Sequence, residues 1–216
     1  LYTIPKKSKL GGKYGTKLHL NVAVATDHVR HKSGVNFAEN GVTYIGRPYD
    51  MKDSLYNFDF NMHVSRKFSK KWKASAHYYH FIFNNTVNPV TLLAKGYIKA
   101  DVGVIELQYK ISRKHSVRGE LQALFTEKDR GNWAAALLEY TISPKWFFAI
   151  QDQYNYGHPD SALQLHYLLG SFGYIHNQTR FIFSYGKQRA GIVCVGGVCR
   201  PVPATNGINF TMTHSF

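Results

Sequence analysis

Hydrophobic residues recur at every second position along much of this chain, and that period commits it to extended strands rather than helices. The clearest case is its end. Ile208, Phe210, Met212 and Phe216 take one face, with His214 in phase, while Asn209, Thr211, Thr213 and Ser215 take the other. Residues 56–65 set Tyr56, Phe58, Phe60, Met62 and Val64 against Asn57, Asp59, Asn61, His63 and Ser65. Residues 17–26 set Leu18, Leu20, Val22 and Val24 against His19, Asn21 and Ala23. Successive side chains of a strand point to opposite faces, so each segment has an apolar and a polar side.

Further alternating segments cover 72–83, 102–111, 117–126, 133–142, 146–156, 163–175 and 180–188, with a slip of phase near Gly103 that predicts a bulge. Together they make about ten strands of roughly ten residues, the length a tilted strand needs to cross a bilayer. Their connections alternate in length. Short turns at 67–71, 112–115, 143–145 and 176–179 are interleaved with longer loops at 27–53, 85–96, 157–162 and 189–206, and a shorter one at 128–132. A soluble sandwich could share the period, but its Greek-key connections give no reason for that alternation. The expectation is a single all-β domain over 1–216, a transmembrane antiparallel up-and-down β-barrel. Strand parity then puts the short turns on the side of the C-terminus.

Composition agrees once the two faces are separated. Mean hydropathy is −0.31, and no stretch approaches the ~20 apolar residues of a spanning helix. Yet the chain carries 15 Tyr, 14 Phe and 3 Trp, as a barrel with aromatic girdles would. The net charge of +14 raises nucleic acid as a partner. The aromatics follow the apolar face rather than interleaving with the basic residues, so no nucleic acid is expected. Arg66, Lys67, Lys70, Lys71 and Lys73, then Lys110, Arg113, Lys114 and Arg118, crowd the short turns and suit anionic headgroups or a periplasmic partner. Lys6, Lys7, Lys9 and Lys13 join them only if 5–16 lies on that side.

Cys194 and Cys199 flank Val195-Gly196-Gly197-Val198, a hairpin-turn pattern that opposes the two thiols, and a disulfide is expected. Two thiols alone make no zinc site. The 11 His read as scattered lumen and loop residues, since His77 and His80 of one strand point to opposite faces. No metal or other cofactor is expected. Rim acids are sparse (Asp27, Asp50, Asp53, Asp101, Asp129, Asp160), and no paired carboxylates lie beside a His, so no catalytic role is assigned. Asp59, His63, Glu106, Gln108, Lys110, Arg118, Glu120 and Gln122 are expected to face the lumen, as a salt-bridged filling or as a pore lining. Asp152 falls on the apolar face, where a carboxylate is costly at mid-depth. A bulge that turns it inward or a covering partner would account for it.

The terminal strand, with Phe210, Met212 and Phe216, resembles the closing strand of bacterial outer-membrane barrels, which the barrel assembly machinery reads. Residues 5–16 (Pro5-Lys6-Lys7 through Gly15-Thr16), Ser65-Arg66-Lys67-Phe68, Ile150 through Gly157, and Gly191 through Pro203 are similar to an uncharacterised family of Bacteroidota outer-membrane proteins. The resemblance covers most of the chain and implies the C-terminal part of longer members. The opening Leu1-Tyr2-Thr3-Ile4-Pro5 also reads as mid-protein sequence, so the visible strands either close as ten or end a wider barrel. The resulting expectation is an outer-membrane barrel in contact with phospholipid and lipopolysaccharide. It acts as a structural or accessory subunit of a translocon or uptake assembly, with a stand-alone porin as the alternative and a barrel enzyme third.

Overall fold

A computed structural model of the protein describes residues 2–6, 8, 11–26, 30–32, 44–46, 55–85, 96–127, 131–195 and 198–215. In chain order the strands are β1 (Tyr2–Ile4), β2 (Thr16–Thr26), β3 (Arg30–Lys32), β4 (Tyr44–Gly46), β5 (Leu55–Lys67), β6 (Trp72–Asn84), β7 (Tyr97–Lys110), β8 (His115–Thr126), β9 (Trp133–Ile142), β10 (Trp146–Tyr154), β11 (Leu169–His176), β12 (Thr179–Gln188), β13 (Gly191–Val195), β14 (Val198–Val202) and β15 (Thr205–His214). Eleven of them form one antiparallel up-and-down sheet in the order β1-β2-β5-β6-β7-β8-β9-β10-β11-β12-β15. The pairs β3–β4 and β13–β14 form separate ladders inside the long connections 27–53 and 189–206. Ten long strands correspond to the ten alternating segments, and β1 adds a short one at an edge. Among the described strands β1 and β15 do not pair with each other.

The short turns close by local chemistry. Ser69 Oγ accepts from the backbone N–H groups of Lys71 and Trp72, and Ser112 Oγ from those of Lys114 and His115. Asn177 takes φ 51° between β11 and β12, a left-handed position that Asn tolerates better than most residues.

Two strand starts and the place of the irregularity differ from the sequence reading. β7 begins at Tyr97, and its pairing runs unbroken through Gly103, which faces Tyr78 on one side and Ala123 on the other. There is no bulge there, and Val102 and Val104 simply occupy the polar face. The register shift falls instead between Ala25 and Thr26. The segment 163–175 is not one strand. Asp160 Oδ1 accepts from Ala162 N and caps a 3-10 turn, Ser161–Leu163, so the strand begins only at Leu169.

Register assigns every long strand two constant faces. Ile208 (70%), Ile105 and Leu121 (both 62%) and Ile150 (51%) stand exposed on one of them. Phe147, Ala149, Leu169 and Ile182 are buried on the other. A flat single sheet would expose both faces alike. The buried hydrophobic side chains are confined to one face, on β9 to β12, as a sheet curled toward that face would have them. Phe147, Ala149 and Ile182 pack there with Leu137, Ile175 and Val202 of β14.

Candidate functional site: an apolar outer face and a charged inner face

The outer face is banded. Near the short turns Trp72 packs on Tyr109 with ring centroids 4.4 Å apart, and Trp146 on Tyr174 at 4.2 Å. Toward the loop rim lie Tyr78, Tyr97 and Tyr154, and between the bands Ile105, Leu107, Leu121, Leu138 and Ile150 are exposed. On β10 the bands are eight residues apart, Trp146 to Tyr154. At ~3.3 Å per residue that is about 26 Å along the strand, or roughly 20 Å of height at a tilt of about 40°, somewhat under the ~25 Å apolar belt of a membrane barrel.

Two carboxylates interrupt this face. Asp101 accepts hydrogen bonds from Tyr78 Oη and His80 Nδ1. Asp152 stays outward because β9–β10 pairing passes through Asp152 and Ala136 without a shift. No bulge turns it inward; His166 Nδ1 lies 2.6 Å from its Oδ2, and its Oδ1 is buried with no hydrogen-bond partner among the described residues. The sequence expectation concerns paired carboxylates beside a His; each of these contacts has a single carboxylate, joined to its His from a neighbouring segment that no local window displays.

All eight residues expected in the lumen share the inner face. The register runs through His63 and His77, Glu106 and Glu120, Gln108 and Arg118, Gln122 and Val104, Lys110 and Ser116, and Asp59 and Phe81. They do not form one cluster. Arg118 is the centre of one group: Nη1 lies 3.3 Å from Glu106 and 3.1 Å from Glu120, and Nη2 3.5 Å from Glu139. Gln122 Nε2 donates to Glu120 Oε1, tying it to the same group. Glu139, which the sequence reading missed, is only 6% exposed. Its signal was available in its inward phase on β9, one strand from Arg118.

His63 belongs to a second group. His19, His63 and His77 are directly opposed across β2, β5 and β6, and the rings of His63 and His77 stack at 4.0 Å and 7°. These three of the 11 histidines are gathered, because cross-strand register brings together residues far apart in sequence, while His80, His115, His166 and His214 have separate partners. Among the described residues no group of three or more His, Cys, Asp or Glu is arranged to hold a metal ion. Asp59 lies apart from both groups and accepts from Asn57 Nδ2. Lys110 is exposed at the turn end.

The loop rim carries the hairpin β13–β14. Its backbone register sets Cys194 opposite Cys199, and the two side chains lie outside the described residues. At its base Arg189 stacks on Trp133 at 4.2 Å, and Gln188 Nε2 donates to Pro203 O. Of the terminal residues expected to guide assembly, Phe210 and Met212 stand exposed on the outer face of the edge strand, and Phe216 lies outside the described residues.

No curated protein and no solved structure matches the chain. A family model described as a family of unknown function, DUF6029, matches residues 1–216, and the chain belongs to that family.

Proposed function

We propose that the chain is the membrane-spanning wall of an outer-membrane β-barrel of a Gram-negative bacterium, of the Bacteroidota type its sequence resembles. The observation that carries this reading is the separation of faces. A banded apolar surface stands exposed on one side of an up-and-down sheet, and an ion-paired polar surface curls inward on the other. Unpaired strand edges are not tolerated in lipid. In a membrane, β1 and β15 would therefore pair with each other or with further strands.

A structural or accessory role in an outer-membrane complex fits the inner face better than an open pore does. Arg118 is engaged by three carboxylates, and Phe147, Ala149, Ile182 and Val202 fill the region between β9 and β12. A porin lumen is instead a polar, water-filled channel.

Three measurements test the reading. Protein folded in detergent should be mostly β by circular dichroism and migrate differently when unheated, and a monomer stable in water without detergent would overturn the barrel. Purification in mild detergent followed by mass spectrometry should recover stoichiometric protein partners. Large steady conductance of the purified protein in planar bilayers would instead establish the porin.

A further inference from the structure

Three of the four short turns repeat one pattern: Phe68-Ser69-Lys70-Lys71-Trp72, Ile111-Ser112-Arg113-Lys114-His115 and Ile142-Ser143-Pro144-Lys145-Trp146. Each runs apolar, Ser, variable, Lys, aromatic. In all three the first and last residues share the outer face, as the register of β5 to β10 requires. The lysine sits at the tip, exposed, immediately before the outward aromatic ring.

The turns are also tied into one rim. The carbonyl of each lysine accepts a backbone hydrogen bond from the neighbouring hairpin: Lys71 from Lys110 at the end of β7, Lys114 from Ser143 in the next turn and Lys145 from Ile175 near the end of β11. Lys71, Lys114 and Lys145 therefore recur every second strand, about 10 Å apart from a strand spacing of ~4.8 Å.

No acid dilutes this rim. Asp59 is followed by no carboxylate before Asp101, Glu106 by none before Glu120, Glu139 by none before Asp152, and none follows Asp160. The β1–β2 connection adds to the same rim, because Ile4 pairs with Thr16 and Thr16 with Arg66. That brings Lys6 and Lys13 to this end, and Lys67 Nζ lies 5.3 Å from the centre of the Tyr14 ring.

We propose that this repeated turn is a binding site for anionic phospholipid headgroups of the leaflet that the short turns face, each lysine taking one phosphate above an aromatic ring at the interface. The inference rests on the membrane reading above. A plane of headgroups meets all three ammonium groups, ~10 Å apart, at once, and the outward aromatic ring beside each lysine suits the lipid interface. Lysine stems suit the position, lying along apolar surface with the charge in the headgroup layer.

The test uses the whole chain inserted into vesicles of phosphatidylcholine alone or of phosphatidylcholine with phosphatidylglycerol. Each basic residue near an anionic surface contributes about fivefold in binding, so three lysines give on the order of a hundredfold preference for the anionic vesicles. The preference should shrink as salt shortens the Debye length and resist inorganic phosphate. The variant Lys71→Ser/Lys114→Ser/Lys145→Ser should reduce it by on the order of a hundredfold, and Lys99→Ser/Lys187→Ser on other parts of the sheet should keep it. Equal insertion of the wild-type chain into both vesicles, or an unchanged preference in the triple variant, would overturn the site while leaving the membrane reading intact. Insertion into neither would overturn both. Should the triple variant fail to fold, the single variants Lys71→Ser, Lys114→Ser and Lys145→Ser carry the same test, each expected to reduce the preference about fivefold.

Discussion

His166 Nδ1 lies 2.6 Å from Asp152 Oδ2, and the His166 ring is stacked flat on Tyr154 at 4.0 Å and 2°. A carboxylate on an apolar face is thereby paired, through Oδ2 alone, with a residue from the connection after β10, the strand that carries it. His166→Ala removes that donor. It should lower unfolding stability in detergent micelles by about 1–2 kcal/mol, the cost of leaving a partly covered acceptor without its partner. Asp152→Asn together with His166→Ala should recover part of the loss. A double-mutant cycle with no coupling would show that the pair contributes nothing.

Arg118 reaches three carboxylates on β7, β8 and β9. Arg118→Ala leaves them gathered around a vacated space, and about 3–5 kcal/mol should be lost, because removing one partner costs more than the pair is worth. Arg118→Lys should be intermediate, since a single ammonium cannot span the three as a planar fork does. Urea midpoints read the order of the three proteins.

Phe147 is directly opposite Gly173, and a Cβ added there would fall within its ring. Gly173→Ala should therefore cost about 1–3 kcal/mol as the ring is displaced. Phe147→Leu in the same chain should relieve part of that cost. An unaltered midpoint for Gly173→Ala would mean that the ring has another place to go.

Cys194 and Cys199 face each other in the hairpin register. Unfolded, unreduced protein should contain no thiol that reacts with maleimide, and reduction should expose two. Labelling of both before reduction would rule out the bridge.

Ser69 lies in a short turn and Ser161 in the connection at the opposite rim. In a chain with both native cysteines replaced by serine, Ser161→Cys should label on intact cells with an impermeant reagent. Ser69→Cys should label only once the outer membrane is breached. The reverse pattern would invert the orientation.

Strand number and facing were legible because period two survives in almost every segment. The lumen set shares one face for the same reason. What could not be read was which residues of different strands become neighbours. His19, His63 and His77 lie in three segments, and only the registers of β2, β5 and β6 align them. The slip expected at Gly103 came from treating Val102 and Val104 as outward because they are apolar. On a curled inner face aliphatic residues are also buried, so hydrophobicity alone misassigned them. At 163–175 the alternation of Leu163, Leu165, Tyr167 and Leu169 mimics a strand. The Asp160 cap decides against it, a short-range hydrogen bond that outcompetes pairing.

Each ladder of the large sheet joins strands that follow one another along the chain, with β3–β4 and β13–β14 set into connections. Such a wall can be widened or narrowed by whole hairpins without rewiring the rest. Gaining or losing two strands keeps every remaining turn on its own side of the sheet and every side chain on its own face. Gaining or losing one would turn the next turn onto the opposite rim. The thrice-repeated turn is the form that copying such a two-strand unit would leave behind.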